Sequence, residues 1–345
     1  MTRVESKTGR IGSWRVIISC RRAEWHVPGF PRVEGFAVAS PDAIQGGCYT
    51  ARTMQPGATT TEWETLAIVG VGLIGGSLGA AVKQRRLAQR VIGVGRHPER
   101  LNEAQRRGLI DETEGDLGRA AARASFLVFC TPVDQIAAQV RLAQAHAQPG
   151  TCCTDAGSVK GALCAALADL ASGPCVFVGA HPLAGSEKSG FEHANPHLFE
   201  ERTCVLTPLP EHDPRAVERV EQFWRGVGMR VRRMTPQAHD AALAWTSHVP
   251  HVVAAALAAA LRDEHRSLTA TGFRDTTRIA AGDPQLWTAI LLQNAEAVLA
   301  ALDGVAQELS AFRAAIAHRD AAALNSLLQT AKTHRDALGN GGSGS

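Results

Sequence analysis

Four short stretches of the 345-residue chain carry residues whose types and spacing suit chemistry. HPLAGSEKSGF, residues 181 to 191, follows the apolar run CVFVGA. A turn after a strand has use for the glycines and the proline, but none for His181. An imidazole among so little bulk suits a proton acceptor, because histidine titrates closest to neutral pH. TDAGSVKG follows another apolar run and brings Asp155, Ser158 and Lys160. Ser158 suits a helix N-cap, a role compatible with a hydrogen bond to a substrate. SHVPH supplies His248 and His251, and GFRDTTRIA supplies Asp275 and Arg278. An arginine there is able to clamp a carboxylate in bidentate fashion. Each residue also has a plainer reading: a strand-end histidine is more often structural, and Arg278 would serve as the ion-pair partner of Asp275.

A fifth stretch, AIVGVGLIGGSLG, places Gly70, Gly72 and Gly75 in GxGxxG spacing between an apolar run and a helical one. Glycines here permit a tight turn and a close approach of backbone to a pyrophosphate, which the helix N-terminus then receives. Leu73 and Ile74 within the loop, with Thr131 and Pro132 at the end of SFLVFCTP, complete the candidate cofactor-binding set. The next apolar run ends in VGVGRHPER. NAD enzymes usually carry an acidic residue there for the ribose hydroxyls, whereas this chain has Gly95 followed by Arg96. No carboxylate repels a 2′-phosphate, and Arg96 is placed to pair with one. The cofactor is therefore NAD or NADP, with the charge pattern leaning to NADP.

These residues need elements to hold them. From about residue 64 to residue 235 short apolar runs alternate with helical segments, which implies an α/β fold with a Rossmann-type, doubly wound parallel sheet. Ser158 and His181 then both follow strand ends, where such sheets bind ligands. From Pro236 the strands stop. A helical segment begins at that proline and should kink at Pro250. The segment starting at QLWTAILL has apolar residues at helical spacing over more than thirty positions, and AALNSLLQTAKTHRDAL makes a last helix. The expected division is a dinucleotide-binding domain over 63–235 and an all-helical substrate and dimerisation domain over 236–338. The wide apolar faces of the latter point to a homodimer. Residues 1–62 lack periodicity and read as a disordered or mis-assigned extension, with Met54 standing shortly before the first strand. GNGGSGS, within 339–345, reads as a flexible tail.

Composition narrows the partners. With 45% hydrophobic and 20% charged residues the chain is of globular type, and a net charge of +3 without a basic stripe argues against nucleic acid. No single apolar run approaches the ~20 residues of a membrane span. The eight cysteines show no zinc-ligand spacing, so no metal is expected. Cys130, Cys152, Cys153, Cys175 and Cys204 lie in or beside apolar runs and read as buried thiols in a reducing cytoplasm.

In their order, GVGLIGGSLG, DAGSVKG, HPLAGSEKSG, SHVPH and GFRDTTRIA closely resemble the prephenate and arogenate dehydrogenases of tyrosine biosynthesis, over about residues 64–338. The resemblance implies a Rossmann domain paired with a helical dimerisation domain. It also implies oxidative decarboxylation of prephenate to 4-hydroxyphenylpyruvate, of arogenate to tyrosine, or both, with hydride transfer to NAD(P)+. It implies roles as well: His181 as the catalytic histidine, Ser158 orienting it and the substrate hydroxyl, Arg278 anchoring the anionic substrate, and His251 in the substrate pocket. Ser186, Glu187 and Asp275 would be substrate-side or gating groups. Two rivals stand beside this reading. A β-hydroxyacid dehydrogenase shares the domain plan but usually relies on a helix lysine. A catalytically silent NAD(P)-binding sensor would have no need of a proton acceptor.

Overall fold

The computed structural model describes residues 63–185 and 188–338. The expectations for the N-terminal extension, the Gly/Ser tail, Ser186 and Glu187 fall outside these residues.

Hydrophobic alternation builds the sheet. In β1 (Trp63–Val69), Leu66 and Ile68 join the core on one face, while Ala67 and Val69 join the core on the other. A strand buried on both faces must be covered on both. The chain does this by alternation: α1 (Leu73–Gln84), β2 (Ala88–Val94), α2 (Pro98–Arg106), β3 (Glu112–Glu114), α3 (Leu117–Arg123), β4 (Phe126–Phe129) and α4 (Val133–Gln144). Next come β5 (Thr151–Asp155), α5 (Gly161–Ala166), β6 (Cys175–Pro182), β7 (Thr203–Thr207), α6 (Pro214–Gly226) and β8 (Arg230–Arg233). α1 and α6 pack on one face, where Trp63, Phe126 and Phe223 meet with ring centroids 4.7–5.5 Å apart. α3, α4 and α5 supply the other face.

The eight strands are ordered β3-β2-β1-β4-β5-β6-β7-β8, so the order reverses between β1 and β4. All pairings are parallel except β6 with β7. The fully parallel sheet expected from sequence fails at that point for a physical reason. A parallel return needs a crossover, usually a helix, and residues 183–202 hold only a short 3-10 turn among those described. Three-residue, charged β3 carries no apolar pattern and is invisible to periodicity.

Beyond β8 the chain is helical: α7 (Pro236–Leu243), a π turn (Ala244–His248), α8 (Val249–Ala259), α9 (Thr271–Thr277), α10 (Pro284–Gln293), α11 (Ala295–Ala317) and α12 (Ala321–Ala337). Pro236 opens α7 as expected, and Thr235 caps it through the Ala238 N–H at 3.1 Å. The break expected at Pro250 takes the form of the π turn just before it, the usual way a helix absorbs such a defect.

Two expectations change. The single helix expected from QLWTAILL onward is instead α10 and α11, bent by 95° at Asn294. That buried asparagine spends its amide on the Asp240 carbonyl (2.9 Å) and on His248 Nδ1 (3.1 Å). Second, α7, the π turn and α8 form one run, Pro236–Ala259, of 24 residues with mean hydropathy 1.2, long and apolar enough to cross a membrane. The sequence hid it because polar His239, Asp240, His248 and His251 interrupt it, and all four are buried against neighbouring elements.

Candidate active site

The C-terminal ends of β1, β4, β5 and β6 lie side by side, and four motifs sit on them. From β1 to β6 is three inter-strand spacings, about 14 Å.

At β1, Gly70 has φ +92°, and a methyl group on it would stand 2.8 Å from Thr131 Cγ2 at the end of β4. A methyl on Gly75 would stand 2.1 Å from the Gly70 carbonyl oxygen, so α1 starts as close to its strand as backbone allows. Gly72 differs: nothing lies within 4 Å of the position its methyl would take. The first turn of α1 has no acidic residue and no side-chain cap. Its free N–H groups and the open space over Gly72 fit a pyrophosphate. Leu73 and Ile74 begin α1 and are half-buried, and Gly185 of the His181 stretch lies against Ile74. Half-buried Thr131 bonds Gln139, Pro132 stands at the N-terminus of α4, and Arg96 is exposed just past β2.

At β5 and β6 the DAGSVKG motif acts as a clamp. Asp155, fully buried, accepts the Ala180 N–H at 3.0 Å and the Gly157 N–H at 2.8 Å. It also pairs with Lys160, whose side chain is equally buried. A buried ion pair needs such additional hydrogen bonds to be tolerated. Their effect is to fix the backbone of β6 one residue before His181.

His181 is 9% exposed, and its Nδ1 lies 2.9 Å from His239 Nε2. His239 Nδ1 in turn lies 2.7 Å from Asp240 Oδ1. The Asp240 carboxylate also accepts the N–H groups of Lys160 (2.8 Å) and Gly161 (2.7 Å), the start of α5. Burial works against that carboxylate, but the bonds from His239, Lys160 and Gly161 prevail and hold its pKa below the ordinary 3.8. Ser158 is therefore not the cap of α5: the cap is supplied by Asp240, from α7. Nor does Ser158 hold the His181 ring, which is held by His239. Ser158 is half-buried between β5 and α5.

His181 does not titrate near 6.5 as expected of a free imidazole. Burial, followed by His239, Lys160 and His248, pushes its pKa well below that value. Burial likewise lowers His251, and brings His248 down to about 4. His248 accepts from Asn294 at Nδ1, so its proton sits on Nε2, which is buried without a partner. His251 stacks on Trp287 of α10, with centroids 3.5 Å apart and planes 11° from parallel, and its Nδ1 is also buried and unpartnered. Two orphaned imidazole nitrogens on rings that both pack against Trp287 are costly unless something binds there. Asp275 and Arg278 are exposed at the end of α9, in a segment packed against the helix that carries His251.

Sequence reasoning missed His239, Asp240, Asn294 and Trp287. One signal was present: Asp240, His248 and His251 are spaced close to whole helical turns, which marks a polar stripe on an otherwise apolar helix.

A doubly wound sheet with a glycine loop at its first turn, and an imidazole held at the end of another strand on the same edge, defines an NAD(P)-dependent oxidoreductase. Comparison with known proteins resolves the class further. Residues 78–233 match the model of the prephenate dehydrogenase nucleotide-binding domain, and residues 235–330 match that of the prephenate dehydrogenase dimerization domain. A prephenate dehydrogenase of Bacillus subtilis is 33% identical over 80% of this chain and 76% of its own. A cyclohexadienyl dehydrogenase of Zymomonas mobilis is 32% identical over 75% of this chain and 91% of its own. The prephenate dehydrogenase of Aquifex aeolicus, solved with hydroxyphenyl propionate and NAD+, superposes with a TM-score of 0.74 at 31% identity, covering 80% of this chain and 98% of that one. The chain belongs to the prephenate dehydrogenase family, and it is an oxidoreductase of tyrosine biosynthesis.

Proposed function

We propose that the strand-end cluster is the active site for oxidative decarboxylation of prephenate, arogenate or both, with His181 as the proton acceptor. The observation that carries the reading is the chain of bonds from Asp240 through His239 to His181. An ionised Asp240 only accepts, so His239 carries its proton on Nδ1 and accepts at Nε2. His181 then donates from Nδ1, which leaves the lone pair on its Nε2. Burial keeps that ring neutral, as a base must be.

The substrate bears a ring hydroxyl opposite a ring carboxylate. Bound NAD(P)+ would supply the hydride acceptor for the carbinol carbon. His181 Nε2 takes the hydroxyl proton, and Ser158 donates a hydrogen bond to the same oxygen. Arg278, His251 and the orphaned Nε2–H of His248 hold the anionic groups, with Asp275 beside Arg278. Loss of carbon dioxide makes the ring aromatic, and the oxygen recovers its proton. Gly70, Gly72, Leu73, Ile74, Gly75, Thr131 and Pro132 would hold the dinucleotide, and Arg96 would meet a 2′-phosphate of NADP.

The boundary at 235/236 divides a cofactor domain from a helical one, which assembles a homodimer. Its apolar side chains Leu292, Leu299, Leu309 and Ile316 are exposed in a single chain, as a dimerization surface requires. The long run Pro236–Ala259 lays its polar stripe on the site, while its apolar Trp245, Val253 and Leu257 are exposed in a single chain. A cytoplasmic location fits the six described cysteines, all of them free. The test is His181→Asn, which is expected to lower kcat while leaving the KM values for cofactor and substrate near wild type; an unchanged kcat would remove His181 from the mechanism.

A further inference from the structure

We propose that His239 stores the reaction's proton: the proton that enters at His181 Nε2 displaces the one on His181 Nδ1, which crosses to His239 Nε2 and waits there beside Asp240. The inference rests on the reading of His181 as proton acceptor. It goes further by placing the transient positive charge on a different residue.

The surroundings of each ring decide where the charge settles. His181, on β6, faces Lys160 from the β5–α5 segment and His248 from the π turn. The carboxylate at the end of the adjacent strand β5, Asp155, is already engaged by Lys160. A charge left on His181 would thus sit buried beside a cation, without an anion of its own. His239 is fully buried too, but its Nδ1 touches Asp240. Asp240 is itself fixed by two backbone N–H groups of α5, and Asn294 holds the Asp240 carbonyl. Moving one proton across the 2.9 Å bond between the rings turns an isolated buried charge into a hydrogen-bonded ion pair.

The balance closes. The carbinol loses a hydride to the cofactor and a proton to His181 Nε2, while the Nδ1 proton passes to His239. Neutral His181 then presents an Nε2–H to the new carbonyl oxygen. When the bond to the carboxylate breaks, its electron pair enters the ring and the oxygen takes the Nε2 proton. His239 returns its proton to His181 Nδ1, so no proton is gained or lost overall. His239 touches neither substrate nor cofactor in this scheme and acts through His181, as a positioning and storage residue.

The test is the dependence of the single-turnover rate of cofactor reduction on the deuterium fraction of the solvent, in the wild-type enzyme and in His239→Gln. The glutamine oxygen is able to accept from His181 Nδ1, preserving ring orientation, but it takes no proton. For the wild type a curved dependence is expected, since two protons move together. For His239→Gln a linear dependence is expected, with kcat lower by roughly 10–10²-fold and substrate KM within about twofold. A linear or absent dependence in the wild type overturns the proposal, and this measurement needs no variant to fold. Wild-type kcat in a folded His239→Gln overturns it as well. If neither prephenate nor arogenate is oxidised by the wild type, the parent reading fails. If both tests of His239 are negative while His181→Asn is impaired, only the proton store fails.

Discussion

Asp240 of α7 caps a helix to which it does not belong: its Oδ2 accepts the Gly161 N–H at 2.7 Å, across 79 residues of sequence. A methyl group on Gly161 would stand 2.8 Å from that oxygen, so the glycine closing DAGSVKG is required by the carboxylate. The contact ties the sheet to the helical segment at the same place where Asp240 aligns His239 and, through it, His181. The cap, the tautomer of His181 and the docking of two segments thus rest on one side chain.

The glycine loop separates folding from binding. Gly75→Ala puts a methyl 2.1 Å from the Gly70 oxygen and should destabilise by about 1–3 kcal/mol, read as a lower Tm. Gly72→Ala meets nothing and should leave Tm unchanged, while raising the cofactor KM by roughly tenfold, equivalent to about 1.4 kcal/mol. An unchanged cofactor KM in Gly72→Ala would contradict the assignment of Gly72 to the pyrophosphate.

On the role proposed for Arg278, Arg278→Ala would remove a charge-assisted contact to the substrate. Such contacts contribute about 1.5–3 kcal/mol, so substrate KM should rise by roughly 10–100-fold with a smaller change in kcat. Steady-state kinetics at saturating cofactor measure it, and an unchanged KM would place Arg278 outside the pocket.

Arg96→Ala should raise the KM for NADP and leave that for NAD nearly unchanged, because only NADP carries the 2′-phosphate. A wild-type enzyme that strongly prefers NAD would count against the role given to Gly95 and Arg96.

Acid should weaken the fold through three histidines. His181, His248 and His251 are all depressed below 6.5, His248 to about 4, because burial disfavours the imidazolium. Between those values the unfolded chain binds more protons than the native one, so stability rises with pH through the window and is lost on acidification. Above 6.5 the three contribute no slope. Calorimetric Tm values should therefore be level above about pH 7 and fall towards about pH 5. The same depression puts the acid limb of kcat/KM below 6.5; a limb above it would contradict the buried, neutral base.

Much of this was legible in the chain because local patterns carry it. The alternation in WETLAIV, the glycine spacing after it, and Pro98, Pro214 and Pro236 at helix starts each act within a few residues. What stayed hidden depends on contacts distant in sequence. Asn294 breaks a helix because its amide is drawn to Asp240 and His248, far away in the chain. The reversal of β7 follows from a connection without a helix, which no strand pattern announces. In the site, His181 stood out because a turn did not need it. His239 and Asp240 lay unnoticed inside an alanine-rich helix, where their meaning comes only from the strand end opposite.

The most direct measurement follows the reduced cofactor by absorbance while prephenate, arogenate and a 3-hydroxyacid are supplied in turn, each with NAD and NADP. The account predicts rapid reduction with prephenate or arogenate, one carbon dioxide released per cofactor reduced, and loss of that rate by roughly 10²–10⁴-fold in His181→Asn. Reduction with the 3-hydroxyacid alone, or full turnover of prephenate by His181→Asn, would contradict it.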